Sequence, residues 1–357
     1  MKLPEIIPRP RVCLVTAMTA VSTFPVSATA HVKWFCSIAD VTRAPIPARD
    51  VLTPFYIACL CGFLLMTFAG FLLDGWVARC WPAVASSGAR LAKAEEMLLR
   101  LAISAYFLLL WSGSAVVLWL RGDAILTPEL LATIPWMGWV QFAVAMLVIS
   151  RRTCILAAAG ICILYIAGIV QYGIFHMADY VFFPGIAAYL ALTTVGTPRA
   201  LRLRVPALAG GLAFSLMWTA VEKFVYPQWT AEILLTHPNL TMGFAVPVVI
   251  VIAGFVEFTL AFYLVTGRGL LRLGAAGYAL IFLSAMPEFG HLDVAGHLPI
   301  LGILGVLVLH GASPLQDALR LSGRGLALNA AATSFLYLAS LTGLAAMYYG
   351  LQWVEYG

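Results

Sequence analysis

The chain has 357 residues, 62% of them hydrophobic and only 10% charged, with mean hydropathy +0.95 and a formal net charge of +5. A soluble domain carries about 25% charged residues, so these figures exclude a soluble globular enzyme, a disordered chain and a disulfide-stapled secreted module. The apolar residues come in unalternating runs of about 20, which excludes an outer-membrane barrel and leaves an all-α, polytopic membrane helix bundle. The basic residues fall in short loops between these runs, where they orient a chain in a lipid bilayer; they do not indicate nucleic acid. The seven cysteines form no C-x-x-C pair, so neither a zinc ribbon nor a disulfide framework is expected.

Residues 1–30 have the make-up of a signal peptide. Lys2, Arg9 and Arg11 precede an apolar stretch from Val12 to Phe24, and Ala28-Thr29-Ala30 is a small-x-small cleavage site. Cleavage there starts the mature chain at His31, with residues 31–50 as an outer segment. Ten membrane spans are expected at about 51–73, 98–120, 131–150, 153–173, 179–195, 206–225, 241–265, 270–287, 297–312 and 328–352. Residues 51–97 hold the first span and a cytoplasmic connector, in which Ala89 to Glu96 form a short, solvated helix of mixed charge. An outer mature amino terminus puts both termini outside an inner membrane. It also places thirteen lysines and arginines in inner loops and five outside, which with three in the signal peptide account for all 21.

The chain also repeats itself. Trp139 to Met146 aligns with Phe255 to Phe262 at a spacing of 116, so Gln141 corresponds to Glu257. Phe107 and Trp111 match Phe214 and Trp218 at 107, and His176 with Pro184 matches His291 with Pro299 at 115. Residues 98–195 and 206–312 are thus two four-helix repeats. An even helix count per copy makes them parallel, related by an axis along the membrane normal. The last span, 328–352, and the first flank this pair.

A compact four-helix unit whose first helix opens with Arg at its inner end and closes with polar residues outside resembles the DoxX-like family, which includes DoxD and MauE proteins. Here those residues are Arg100 in the first copy, and Arg204 with Glu222-Lys223 in the second. The resemblance covers residues 98–312 as a tandem pair. It implies a membrane protein associated with redox or sulfur chemistry and working with a periplasmic or membrane redox partner.

Ionisable residues inside spans are costly and are functional candidates by default. Glu257 is expected deep in its span, either protonated or paired with His310, where proton transfer or contact with a quinone headgroup is the functional expectation. Glu222-Lys223 is expected to snorkel to the outer interface. The richest polar cluster, residues 287–299, holds His291, Asp293 and His297 between glycines and prolines that should break regular helix. In a turn these three side chains would converge. Five of the six histidines (His31, His176, His237, His291 and His297) fall on the expected outer side. With Asp293 they are candidate ligands for a metal such as copper, His31 through its free α-amine as well as its imidazole. The expected function is a redox-associated inner-membrane protein engaging quinone or copper. A scaffold or assembly subunit, and a small-solute or metal transporter, are the alternatives.

Overall fold

The fold is taken from a computed structural model, which describes residues 36, 39–80, 91–121, 124–127, 130–132, 134, 136–289, 291–321 and 325–357. The expected signal peptide and His31 lie outside the described residues. Thirteen α-helices are found among them. They are α1 (Ala48–Val51), α2 (Pro54–Cys80), α3 (Ala92–Arg121), α4 (Trp136–Leu147), α5 (Cys154–Met177), α6 (Phe182–Val195), α7 (Pro198–Val225), α8 (Pro227–Thr236), α9 (Val246–Thr266), α10 (Leu270–Phe289), α11 (His291–His310), α12 (Pro314–Ala318) and α13 (Leu326–Tyr356). Seven (α2, α3, α5, α7, α9, α10 and α13) are long and apolar enough to cross a membrane, and α4, α6 and α11 carry shorter apolar stretches. Hydrocarbon offers backbone groups no partner, so apolar runs of this length satisfy their own peptide bonds as helix.

Helix boundaries follow local chemistry. Thr197 caps α7 by accepting the Ala200 N–H, with Pro198 in the first turn, and Gly196 closes α6 in the left-handed conformation at φ 68°. Two expected boundaries move. The run 131–150 is helical only over Trp136–Leu147, because Leu131–Ala132 (β2) instead pairs antiparallel with Ala124–Ile125 (β1). That hairpin is tied down by Ser114, whose Oγ accepts the Ile125 N–H, and by Gln141, whose Nε2 donates to the Ile125 carbonyl at 2.6 Å. Within 287–299 a helix boundary does fall between Phe289 and His291, but Pro287, Gly296 and Pro299 do not break regular helix as expected. α10 runs through Pro287 and α11 through Pro299. The backbone of 291–297 is therefore helical, and His291 and His297 sit about 120° apart around it.

Helix neighbours form a closed circuit: α3 packs on α4, α4 on α5, α5 on α6, α6 on α7, α7 on α9, α9 on α10, α10 on α11, and α11 back on α3. α7 also touches α11 across the middle. α2 and α13 pair with each other outside this circuit and lean mainly on α7 and α9. One end of the bundle collects Arg100, Arg151, Arg204, Arg268, Arg272 and Arg320, which reach acids or carbonyls on neighbouring segments. At the opposite end residues 39–52 pack down through Ile46 N–H to Val225 O and Tyr349 Oη to Ile46 O.

Candidate functional site

Glu257 is the one acidic or basic residue of α9. It stands eleven residues from Val246 and nine from Thr266, so about 16 and 14 Å from the helix ends. Lys223, near the far end of α7, meets it: Nζ to Oε2 is 2.8 Å, with the side chains 9% and 17% exposed. Lys223 thus turns inward to Glu257 and does not snorkel to an interface. Its neighbour Glu222 is buried as well, and its Oε2 accepts the Tyr348 hydroxyl of α13 at 3.0 Å. Adjacent helix positions point about 100° apart, which is how one dipeptide engages α9 and α13 at once. The Tyr278 hydroxyl of α10 donates to the Glu257 carbonyl at 2.8 Å. Trp218 and Phe175 pack on Tyr348, at 4.5 and 4.8 Å between ring centroids. Four helices therefore meet around two carboxylates, one ammonium and two phenols.

At the position on α4 that the sequence alignment pairs with Glu257, the chain carries a neutral pair. Ser114 of α3 lies 3.3 Å from the Gln141 side-chain oxygen, and Gln141 is fully buried.

The expected Glu257–His310 contact does not form. His310 Nδ1 lies 3.0 Å from Glu95 Oε2 instead, because α3 and not α9 packs beside the end of α11. The connector residues Glu95 and Glu96 are not solvated: both belong to α3 and are buried. Glu96 faces Arg100 at 3.2 Å, Arg204 at 3.7 Å and Arg151 at 3.9 Å, and the Arg204 guanidinium lies over the Tyr189 ring at 5.2 Å. Asp74 was not singled out by sequence. Its carboxylate accepts N–H groups of Arg268, Gly269 and Leu270 at 3.0, 2.7 and 3.1 Å, capping α10 from another helix. It also takes Arg320 Nη2 at 2.8 Å. Burial, and then Arg268 beside it, lower the Arg320 pKa from its usual value, against the pull of Asp74 and Asp317.

The histidines expected on the outer side go separate ways. His237 pairs with Glu288 at 3.1 Å, His297 packs tilted against Phe282 at 4.3 Å between ring centroids, and His176 packs beside Tyr172 at 5.8 Å. Among the described residues no three His, Cys, Asp or Glu side chains converge as a metal site. His31 and the side chains of His291 and Asp293 lie outside that description. The helical backbone of 291–297 removes the turn that was to gather them.

Seven long apolar helices with charge paired off in their interior are the build of a multi-pass α-helical membrane protein. No known family model, curated protein or solved structure matches the chain.

Proposed function

We propose that this is a redox-associated, DoxX-like inner-membrane protein of ten spans, in which Lys223 and Glu257 contact the headgroup of a membrane-dissolved quinone. The observation that carries the reading is the ion pair itself, placed midway along an apolar helix with an edge of Glu257 still exposed. Ionisable groups are kept at such depth mainly for function. Lys223 has N–H donors beyond the one spent on Glu257, and a carboxylate beside it can hold or release a proton as a quinone carbonyl changes charge. Electrons come from a periplasmic or membrane redox partner.

Two parallel four-helix repeats, α3 to α6 and α7 with α9 to α11, fit the helix circuit, whose neighbour order maps onto itself when one copy replaces the other. Matching carbonyls are also capped alike. Val148 O accepts Arg100 and Leu264 O accepts Gln316, 116 residues on; Thr193 O accepts Arg151 and Val308 O accepts Arg272, 115 residues on. In each copy a polar residue of the first helix meets one of the second, Ser114 with Gln141 and Lys223 with Glu257. The repeat that carries charge is then the active one. By the positive-inside rule the arginine-rich end is cytoplasmic and both termini are outside.

The test is the quinone content of protein purified from its native membrane, by solvent extraction and absorbance, for wild type and for Lys223→Met with Glu257→Gln. Stoichiometric quinone in wild type, lost in the double variant, is expected. A quinone-free wild type that binds no added short-chain quinone overturns the reading and leaves the pair as helix glue in a scaffold subunit.

A further inference from the structure

At the arginine-rich end a cleft of about 360 Å³ opens between the end of α2, the end of α9, the α12 segment and the start of α13. Its mouth is cationic, with Arg79, Arg268 and Arg320 set against Asp317. Asp74 sits behind Arg320, so three guanidiniums face two carboxylates and one positive charge is in excess. Arg79 is exposed and makes no ion pair among the described residues. Among the described residues the Arg268 guanidinium pairs with Asp317 alone, whose side chain is 62% exposed, and a rim pair of this kind is weakened by solvent screening. Two of the three guanidiniums are therefore available to an incoming anion at little cost. Asn329 fixes one wall in advance: its side chain accepts from Leu321 N–H at 2.8 Å and donates to the Leu321 and Gly325 carbonyls.

The floor is apolar, formed by Phe71, Ala78, Leu326 and Ala330 from α2 and α13. These two helices have the least buried apolar windows in the bundle, 17% each, so their outer faces are open to acyl chains. At about 30 Å³ per water-sized group the cleft holds roughly a dozen non-hydrogen atoms. A phosphate has five, and a glycerophosphate fits the remaining room. Basic pockets between helices at a cytoplasmic membrane face suit phosphodiester headgroups, which guanidinium forks bind in bidentate fashion.

We propose that this cleft binds a phosphate group, that of an anionic glycerophospholipid, with the headgroup between Arg79 and Arg268 and the acyl chains on α2 and α13. The inference needs only the bilayer, so it stands or falls apart from the quinone reading.

The experiment measures binding of phosphatidylglycerol, in mixed nanodiscs with phosphatidylcholine, by native mass spectrometry and by thermal shift. The proteins are wild type, Arg79→Gln with Arg268→Gln, and the control Arg199→Gln, an exposed arginine on α7 near the same end. Parallel arms offer inorganic phosphate and glycerol 3-phosphate to protein in neutral nanodiscs. Wild type and Arg199→Gln should retain phosphatidylglycerol alike, the double variant should bind it on the order of tenfold more weakly, and unfolding in neutral nanodiscs should be the same for all three. Equal weakening in Arg199→Gln makes the attraction a diffuse surface charge and overturns the site. Retention by the double variant also overturns it. Tight binding of inorganic phosphate that leaves phosphatidylglycerol undisplaced and unaffected by the substitutions overturns the lipid as occupant.

Discussion

Replacing Lys223 by Met removes the one cation that pairs with Glu257 among the described residues and leaves its carboxylate midway along α9. Across 2.8 Å, at an effective dielectric of about 20, the attraction is about 6 kcal/mol, much of it offset by desolvating both charges. Removing one partner of a buried pair costs about 3–5 kcal/mol, because the remaining charge stays buried or must be neutralised. Removing both with Glu257→Gln leaves an uncharged contact like that of Ser114 with Gln141, and should cost well under the sum of the single changes. A double-mutant cycle on reversible unfolding in mixed detergent micelles should therefore give a coupling of about 2–4 kcal/mol. Additive single and double variants, with coupling below about 0.5 kcal/mol, would mean that the two side chains do not act as a buried pair and would remove the basis of the site.

Gly173 adopts φ 82° and ψ 165°, and a Cβ there would collide with the Glu355 carboxylate that accepts the Phe175 N–H. Gly173→Ala should cost about 3 kcal/mol or more by the same unfolding assay, and adding Glu355→Ala should not restore it, since backbone strain remains. Asp74→Ala strands three backbone N–H groups and Arg320. It should destabilise by about 3–5 kcal/mol, and hydrogen exchange should rise first at the start of α10. Tyr348→Phe takes one hydrogen bond from buried Glu222 and should cost about 1–3 kcal/mol, with Phe175 and Trp218 packing retained in near-ultraviolet circular dichroism.

Helices were legible because apolar runs have one backbone solution in hydrocarbon: each expected run overlaps a helix, and seven of these helices are long and apolar enough to cross a membrane. Boundaries failed where polar side chains compete for backbone groups. Ser114 and Gln141 secure the β1–β2 hairpin at the head of the 131–150 run, and no periodicity records that tie. Glu257 was legible as a lone acid in an apolar segment. Its partner was not: Lys223 looks terminal along α7, and only the packing of α7 on α9 brings it to the middle of α9. The same limit hid Glu95 and Glu96, whose mixed-charge sequence suits a solvated connector until Arg151, Arg204 and His310 arrive from other parts of the chain. Long-range charge pairing leaves no local signal.

The most direct test of the central claim is photoaffinity labelling of the protein in its native membrane with an azido-quinone, followed by peptide mapping. Labelling confined to peptides carrying Lys223 and Glu257, competed by unlabelled quinone and abolished by Lys223→Met with Glu257→Gln, is the predicted result. Labelling of the matching α4 peptide around Gln141 to the same extent, or label that survives the double substitution, would contradict it.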